Sequence, residues 1–362
     1  MPKQNFNIFN LISPVDGQRL RTLRLLSGRG ISTLFSHNAE PSKPGTKAET
    51  LRFLKRLCLK IKENRADLVP MLVMETGYIR SDSEEIIDGS IEFLEEFGKE
   101  VETARSTGKA VALPFGTDAE RKIHLASRPY RQVAVIIPQN ASFGITLIVL
   151  AAALYSGVKL VLRASLQSGL TTEILKKLVK ESNPPESSVE FVSCLAVDFL
   201  RACYKSPSVD LIHYIGSNRY VHSILIDAFN AGKASLLDGQ GNGLVYVDRS
   251  FPVDKAIKII TAGAVRYNGE TCTSINGVLC HPDIYKRLRN GLSESLGALS
   301  VGHPMEAGTD VGPLFSKTQA DHIGNLVRSS GGEFLSGGEI KGAYITPGLI
   351  EGEDRGRALV TE

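Results

Sequence analysis

Residues 132–155 read QVAVIIPQNASFGITLIVLAAALY, and this segment gives the strongest indication of the fold class. Val133 to Ile137 is wholly apolar and mostly β-branched, which predicts a short strand buried on both faces. Gly144 to Tyr155 is a longer apolar run, which fits a helix and falls short of the about 20 residues that cross a bilayer. A buried strand joined to a helix by a short polar turn is the repeating unit of a parallel α/β sheet.

The same alternation of strands and helices continues downstream. Further strands are predicted at Leu160–Leu162, Phe191–Val192, Leu211–Ile215, Ser235–Leu237 and Leu244–Val247. Helices are predicted between most of them, at Thr171–Lys180, Asp198–Tyr204 and Arg219–Ala231. We therefore predict an α/β fold with a doubly wound parallel sheet of the Rossmann-like, dinucleotide-binding type. A second α/β domain is predicted beyond it, because a glycine-rich stretch at 239–243 leads to a strand, a helix over Val253–Tyr267 and a further strand and helix.

The chain before this sheet is predicted to be mainly helical. Apolar residues recur at helical spacing from Ala48 to Arg65, a second helix runs from Ala66 to Glu75, and a third covers Ser83 to Arg105. Ser27–Gly45 is the segment nearest to a flexible one. We predict two domains: residues 1–238 hold the N-terminal helices and the cofactor-binding sheet, and residues 239–362 form the second α/β domain.

Composition narrows the classes of function. The chain has 42 basic and 39 acidic residues and a net charge of +3, a balance that argues against nucleic acid or a membrane surface as partner. Its five cysteines are odd in number and widely spaced, so we expect a reducing compartment without disulfides or structural zinc. The seven histidines lack metal-ligand spacing and are interpreted as structural or surface residues, so no metal is expected. The first residues do not form a secretory signal, and we expect a cytoplasmic protein.

Six short motifs follow one another along the chain. They are Ser13-Pro14-Val15-Asp16-Gly17, Glu75-Thr76-Gly77, Pro129 through Pro138-Gln139-Asn140, Tyr214-Ile215-Gly216-Ser217, Tyr267-Asn268-Gly269-Glu270-Thr271-Cys272 and Gly308 through Leu314. In this order they resemble N-P-x-T-G, E-x-G-K, P-x-G-V-x-x-x-I-x-P-W-N, F-T-G-S, N-x-G-Q-x-C and T-x-x-G-P-L of the aldehyde dehydrogenase superfamily. Each motif alone is weak, but the ordered set is specific and spans the chain from about Asn10 to its last residue.

The resemblance implies that an aldehyde is oxidised with NAD or NADP as cofactor and with Cys272 as nucleophile. Cys272 lies in a polar, loop-like stretch after a predicted helix, whereas the other four cysteines are predicted to be buried and inert. A thiolate that adds to the aldehyde carbon gives a thiohemiacetal, and loss of hydride then leaves a thioester. Asn140 has two interpretations: its side chain caps the following helix, or it stabilises the oxyanion together with the N–H of Cys272.

The cofactor-binding residues that the resemblance implies are Pro138, Gln139, Arg163, Ser165, Gly216, Ser217 and Gly239. For Gly216 and Ser217 the alternative is a plain turn from strand to helix, without a pyrophosphate at the helix N-terminus. Arg163-Ala164-Ser165-Leu166 stands where the family has K-P-S-E, so the carboxylate that receives the ribose hydroxyls is replaced by Leu166. Because a carboxylate there would repel a 2′-phosphate, we predict that NADP is accepted.

The departure that matters most is at Leu236. Leu236-Leu237-Asp238-Gly239-Gln240 stands where the family has E-L-G-G-K, whose glutamate activates water for thioester hydrolysis. Three explanations are open. In the first, Asp238 replaces the glutamate as base, because it lies on the same strand face, although it is displaced by roughly 6–7 Å. In the second, coenzyme A is the acyl acceptor, since the G-x-G-N at 239–242 resembles the CoA-acylating branch of the family. In the third, the enzymatic activity is degraded because the base is missing.

The C-terminal end resembles only part of the family's sequence. Pro347 to Glu362 resembles P-T-V-L through the start of E-E-x-F-G-P-V, so the second, catalytic domain is expected to be incomplete. The segment 115–131 resembles part of the family's bridging ribbon, which implies a homo-oligomer. An alternative function is therefore a truncated, non-catalytic binding or assembly protein.

Overall fold

A computed structural model describes residues 7–37, 45–104, 112–115, 118–124, 129–186 and 189–352. Its strands are β1 Ile8–Ile12, β2 Arg19–Arg24, β3 Ala112–Phe115, β4 Asp118–His124, β5 Gln132–Ile137, β6 Lys159–Ala164, β7 Val189–Phe191, β8 Leu211–Ile215, β9 Ala234–Asp238, β10 Gly243–Val247, β11 Ile275–Cys280, β12 Glu333–Ser336, β13 Ile340–Lys341, β14 Tyr344–Ile345 and β15 Leu349–Glu351. Its α-helices are α1 Gly28–His37, α2 Lys47–Glu63, α3 Arg65–Thr76, α4 Arg80–Ala104, α5 Ser142–Tyr155, α6 Gly169–Glu181, α7 Ala196–Lys205, α8 Asn218–Asn230, α9 Val253–Val265, α10 Tyr285–Gly297 and α11 Lys317–Ser330.

The central sheet has five parallel strands in the order β7-β6-β5-β8-β9. All six residues of β5 are buried, as the apolar sequence predicts. From β5 the chain builds outward through β6 and β7, and then returns to the other side of β5 to add β8 and β9. The predicted doubly wound parallel fold is thereby confirmed. In such sheets ligands bind beyond the carboxyl ends of the strands where the order reverses, which is between β5 and β8 here.

Helices cover both faces of this sheet. Because successive strand residues point to opposite faces, Val133, Val135 and Ile137 pack against α2, α3, α4, α5 and α6, the five-helix layer. Ala134 and Ile136 pack against α1, α7 and α8, the three-helix layer. Burial of the strands on both faces requires two such layers, and it explains why their sequences are continuous apolar runs instead of alternating ones.

A second α/β unit follows the sheet. β10 and β11 pair in parallel, and α9 and α10 pack on one face against Val245, Val247 and Val278. On the other face Leu244, Tyr246 and Leu279 are exposed at 61%, 62% and 53%. β12 pairs with β15 and β13 with β14, both antiparallel.

The structure corrects three details of the sequence predictions. Ser27–Gly45 is not simply flexible, because α1 occupies most of its described part and buries Ile31 and Phe35 in the three-helix layer. The hairpin β1–β2 was not predicted. The helix predicted over Val253–Tyr267 ends at Val265, because the backbone turns left-handed at Tyr267.

Two further predictions concern the ribbon and the C-terminal end. In the predicted ribbon, β4 pairs antiparallel with β3. Residues 353–362, with the last family motif, lie outside the described residues. No helix in the described ranges is both long and apolar enough to cross a membrane.

Candidate active site

The predicted site residues meet at the carboxyl edge of the central sheet. Pro138, Gln139 and Asn140 follow β5, which is the middle strand. Arg163 and Ser165 stand at the end of β6, Gly216 and Ser217 follow β8, and Gly239 follows β9. Four loops from neighbouring strands therefore place all seven predicted cofactor residues and Asn140 along one edge.

Cys272 is delivered to this edge by an unusual turn. Tyr267, Asn268 and Gly269 have φ values of 53°, 55° and 72°, three left-handed residues in succession. For a tyrosine this conformation is strained and must be held by its surroundings. The Tyr267 N–H donates to Asp82 Oδ2 at 2.7 Å, which ties the turn to α4. The turn ends α9 and leaves Cys272, a few residues later, exposed to solvent.

The side chain of Asn268 is the hub of this turn. Its Nδ2 donates to the carbonyl oxygens of Gly77 (3.0 Å) and Pro313 (2.8 Å), and its Oδ1 accepts from the Gly312 N–H at 2.9 Å. The side-chain amide is buried and has partners at both its oxygen and its nitrogen, so its hydrogen bonds fix the turn in place.

Two glycines allow the end of α3 and the segment at 312–313 to pack closely together around the Asn268 side chain. Gly77 ends α3 with φ 81°, and a Cβ there would lie 2.3 Å from the carbonyl oxygen of Pro313. A Cβ on Gly312 would lie 2.0 Å from the carbonyl oxygen of Gly77. The motifs at 75–77, 267–272 and 308–314 are thus parts of one packed junction, which a single sequence does not reveal.

Cys272 is the only exposed cysteine among the described residues. Burial raises the pKa of Cys194 to about 11 and raises that of Cys203 further, so these thiols remain protonated and inert. Cys280 is only partly buried. A Cβ on Gly241 would lie 1.7 Å from the carbonyl oxygen of Cys272, so the loop after β9 packs directly on the backbone of the cysteine.

Asn140 contacts the cysteine loop and does not cap a helix. Its Nδ2 donates to the carbonyl oxygen of Glu270 at 2.6 Å, and its own carbonyl accepts from the Tyr78 hydroxyl at 2.7 Å. The N-cap of α5 is Ala141, without a side-chain cap, so the helix-cap interpretation of Asn140 is wrong. A side-chain amide has two N–H donors, and the bond to Glu270 uses one of them.

Two residues that contact the candidate site, Glu270 and Tyr78, were missed from the sequence. The Glu270 carboxyl is buried and accepts one hydrogen bond, from the Phe315 N–H at 3.1 Å, and desolvation raises its pKa to about 8. Burial likewise raises the pKa of Tyr78. The replacement of the family's glutamine by Glu270 was a visible signal, but its burial was not.

Glu75 has a structural task. It accepts hydrogen bonds from the N–H groups of Leu170 (2.6 Å) and Thr171 (3.2 Å) and from the Thr171 hydroxyl (2.5 Å). These donors belong to the first turn of α6, whose positive end a carboxylate stabilises. Burial nevertheless raises the pKa of Glu75 to about 7.

On the β6 side, the predicted cofactor residues are already engaged with the protein. Arg163 Nε donates to the carbonyl oxygen of Cys194 at 3.1 Å, and burial lowers the pKa of its guanidinium. The Ser165 hydroxyl accepts from the Gln167 N–H at 3.3 Å. Leu166 is buried against Leu23 and Leu25 of the N-terminal segment, so its apolar side chain serves packing where the family has a carboxylate.

On the β8 side, only some of the hydrogen-bond donors near the start of α8 are available to an anionic ligand. The Gly216 N–H donates to the carbonyl oxygen of Asp238 at 2.9 Å and is therefore used within the sheet. Ser217 caps α8, because its hydroxyl oxygen accepts from the Arg219 N–H at 3.3 Å. The plain strand-to-helix turn considered from the sequence is therefore present. The positive end of the 13-residue α8 and the Ser217 hydroxyl remain as groups that fit a pyrophosphate.

Gly239 and the strand before it complete the edge. A Cβ on Gly239 would lie 1.8 Å from Asn218 Oδ1, so glycine lets the loop after β9 pack on the first turn of α8. Leu236, at the family's glutamate position, is 49% exposed. Asp238, two residues further on, lies 2.7 Å from His213 through Oδ2 and Nε2.

Comparison with known proteins agrees with this architecture. The sequence profile of the aldehyde dehydrogenase family matches residues 3–362. The chain is 25% identical over 308 residues to peroxisomal aminoaldehyde dehydrogenase 1 of Pisum sativum, covering 83% of this chain and 61% of that protein. It is 24% identical over 315 residues to sulfoacetaldehyde dehydrogenase of Neptuniibacter caesariensis, covering 82% and 65%. The chain thus spans less than two thirds of the length of these relatives.

Solved structures show the same fold. A crystal structure of PnpE in complex with nicotinamide adenine dinucleotide superposes with a TM-score of 0.88 at 21% identity, covering 98% of this chain and 74% of that one. A crystal structure of an NADP-dependent enzyme from E. coli gives a TM-score of 0.88 at 19% identity, covering 98% and 74%. At these identities the likeness concerns the fold alone.

Proposed function

The chain belongs to the aldehyde dehydrogenase family, and from this premise we propose that it oxidises an aldehyde with NAD or NADP through a covalent adduct on Cys272. One observation carries the proposal. The left-handed turn at 267–269 exposes Cys272, and the adjacent Glu270 carbonyl is hydrogen-bonded to Asn140 at the carboxyl edge of the sheet. The loop that carries the cysteine and the amide donor of the other unit are thereby joined by a hydrogen bond.

The proposed chemistry begins at the sulfur. The Cys272 thiolate adds to the aldehyde carbon, and the resulting alkoxide is stabilised by the remaining N–H of the Asn140 amide and the N–H of Cys272. When bound, the nicotinamide cofactor supplies the hydride acceptor. We propose that Arg163, Ser165 and Ser217 hold it by polar contacts, and that Pro138, Gln139, Gly216 and Gly239 line its path. The product of this half-reaction is a thioester on Cys272.

The fate of the thioester depends on the acyl acceptor. Water gives a carboxylate, but Leu236 cannot accept the proton that water loses. Coenzyme A gives an acyl-CoA, and a thiol needs less help from a base because it ionises more readily than water. We propose a small aldehyde as substrate, residues 1–238 as cofactor domain and residues 239–362 as catalytic domain. We further propose a cytoplasmic homo-oligomer in which the 115–131 ribbon bridges protomers.

A second candidate function rests on a different observation. Leu244, Tyr246 and Leu279 expose one face of the β10–β11 sheet, and Phe229 of α8 is 81% exposed. Exposed apolar surface of this kind is typical of interaction sites. A non-catalytic binding or assembly protein built on this fold would use such a face.

One experiment tests the proposal and separates the two candidates. The purified chain is mixed with an aldehyde and NAD or NADP, with and without coenzyme A, and reduced nicotinamide is followed by absorbance. We expect a signal that Cys272→Ser abolishes and that Cys280→Ser, the control at a partly buried cysteine, leaves in place. No signal under any condition contradicts the enzymatic proposal and favours the binding protein. A signal only with coenzyme A identifies acyl transfer to that thiol.

A further inference from the structure

The position left without a base by Leu236 lies beside a pair of titratable side chains. His213 of β8 and Asp238 of β9 are 2.7 Å apart, between Nε2 and Oδ2. We infer that this His213–Asp238 pair takes the proton from the water that hydrolyses the Cys272 thioester. The inference rests on the proposed function and names the residues that would complete its second half-reaction.

The register of the sheet places the pair on the face of Leu236. His213 is the parallel partner of Leu236, and partners in adjacent strands point to the same side. Asp238 is two residues beyond Leu236 and shares its face. Leu237, between them, packs into the three-helix layer, so His213, Leu236 and Asp238 all lie on the opposite face of the sheet.

The turn that carries Cys272 is anchored on this same side of the sheet. Asp82 of α4 holds the Tyr267 N–H, and Gly77 at the end of α3 accepts from Asn268. Both helices belong to the five-helix layer, which covers the face that His213 shares with Leu211. The pair and the turn therefore lie on one side of the sheet, toward its carboxyl edge.

A short segment links the pair to the nucleophile. The Asp238 carbonyl is fixed by the Gly216 N–H at 2.9 Å, and three residues later Gly241 packs on the carbonyl oxygen of Cys272. Three extended residues span at most about 11 Å, which bounds the distance between the Cα atoms of Asp238 and Gly241. The strand end that carries the Asp238 carboxylate is therefore joined to the cysteine loop by a short segment, and the inferred step places a water molecule between that carboxylate and the thioester.

The two side chains differ in exposure in a way that suits this task. The Asp238 side chain is 55% exposed and that of His213 is 14% exposed. Asp238 therefore offers its second carboxylate oxygen, Oδ1, to a water molecule, while His213 holds Oδ2. A hydrogen bond between these side chains that served only to join β8 to β9 would contribute little to stability, because water competes for an exposed bond.

The proposed step balances in atoms and charge. The oxygen of water bonds to the thioester carbon as one of its O–H bonds breaks, and the proton passes to the pair, which then holds it as carboxylate and imidazolium. The C–S bond breaks, and Cys272 leaves as a thiolate. The proton is released to solvent, and the product is the carboxylic acid, ionised at neutral pH.

Rapid mixing of the enzyme, aldehyde and nicotinamide cofactor, without coenzyme A, separates the two half-reactions. Formation of the thioester gives a burst of reduced nicotinamide, and hydrolysis limits the steady rate that follows. In Asp238→Asn and His213→Asn we expect a full burst and a steady rate lower by about 100-fold. His222→Asn, an exposed histidine of α8, is the matched control and should keep both phases. Intact mass measurement after the aldehyde is exhausted should show the acyl adduct persisting far longer in the two variants of the pair than in the unmodified chain or the control.

A rescue variant distinguishes a base from a structural clamp. Leu236→Glu added to Asp238→Asn places a carboxylate on the same strand face, and we expect the steady rate to recover at least tenfold. If Asp238 served only to hold β8 and β9 together, a carboxylate at position 236 would not restore the rate. A normal burst with an unchanged steady rate in both single variants overturns the inference and leaves the proposed function intact. Turnover that requires coenzyme A and is the same in all variants also overturns it. Absence of any reduced nicotinamide from the unmodified chain, with or without coenzyme A, refutes the proposed function, and the inference falls with it.

Discussion

The buried carboxyl of Glu270 gives the sharpest stability prediction. Desolvation raises its pKa from the ordinary value of 4.5 to about 8. Because the folded-state pKa lies above that of the unfolded chain, the folded protein binds this proton more tightly. The contribution of Glu270 to stability is therefore most favourable below about pH 4.5 and is lost progressively as the pH rises toward 8.

The size of the effect follows from the two pKa values. Within that window the free energy of unfolding falls by about 1.4 kcal/mol per pH unit for one proton. Between about pH 6 and pH 8 the free energy of unfolding falls by about 2 kcal/mol. This is less than the full slope would give, because the folded protein itself begins to lose the proton as the pH approaches 8. Glu270→Gln removes the titration, and the glutamine oxygen can still accept from the Phe315 N–H.

The measurement is urea unfolding of both proteins across this pH range. We expect the variant to gain about 2 kcal/mol over the unmodified chain between pH 6 and pH 8. Glu294→Gln, at an exposed glutamate of α10, is the control and should track the unmodified chain at each pH. If the stabilities of Glu270→Gln and the unmodified chain stay parallel from low to high pH, the buried carboxyl is not the proton-binding group that the structure indicates.

The remaining predictions concern packing, catalysis and the cofactor. Gly77→Ala forces a Cβ to 2.3 Å from the Pro313 carbonyl oxygen at φ 81°, so we expect a loss of about 2–4 kcal/mol in thermal or urea unfolding. Gly89→Ala, which meets open space in α4, should be neutral or stabilising. Asn140→Ala should lower kcat for aldehyde oxidation by about 100-fold or more, and an unchanged kcat would rule out its oxyanion role. Because Leu166 places no carboxylate beside the ribose, kcat/KM with NADP should at least equal that with NAD; a large preference for NAD would contradict this.

The sequence predicted the central sheet well because its strands are continuous apolar runs. β5 is buried in full and its neighbours were located within a few residues. α1 was missed because it contains Gly28, Gly30 and Ser32, which are poor helix formers, and because it buries little more than Ile31 and Phe35. The hairpin β1–β2 was missed because most of its residues are exposed, so the apolar residues of its short strands do not form the continuous buried run that marks the central sheet.

The candidate site residues could be predicted from the sequence, but the contacts that hold them in place could not. Cys272 and Asn140 were found through local motifs. Asn268 joins residues 191 and 45 positions away, and no local pattern in one sequence encodes such distant partners. The pairing of His213 with Asp238 was missed for the same reason. The two residues are 25 positions apart and meet only because β8 and β9 are adjacent in the sheet.

Glu270 lies where the Cys272 loop meets Asn140, and single hydrogen bonds hold both its backbone carbonyl and its side chain. Its carbonyl accepts from Asn140, its carboxyl accepts from Phe315, and Asn140 in turn accepts from the Tyr78 hydroxyl. A network of single, partly buried hydrogen bonds is weakened when any one member loses its partner. Ionisation of Glu270 would place a charge where only one donor faces it, and the protein would relax by hydrating that carboxylate. We therefore expect ionisation of Glu270 to disturb the loop whose backbone carbonyl accepts from Asn140.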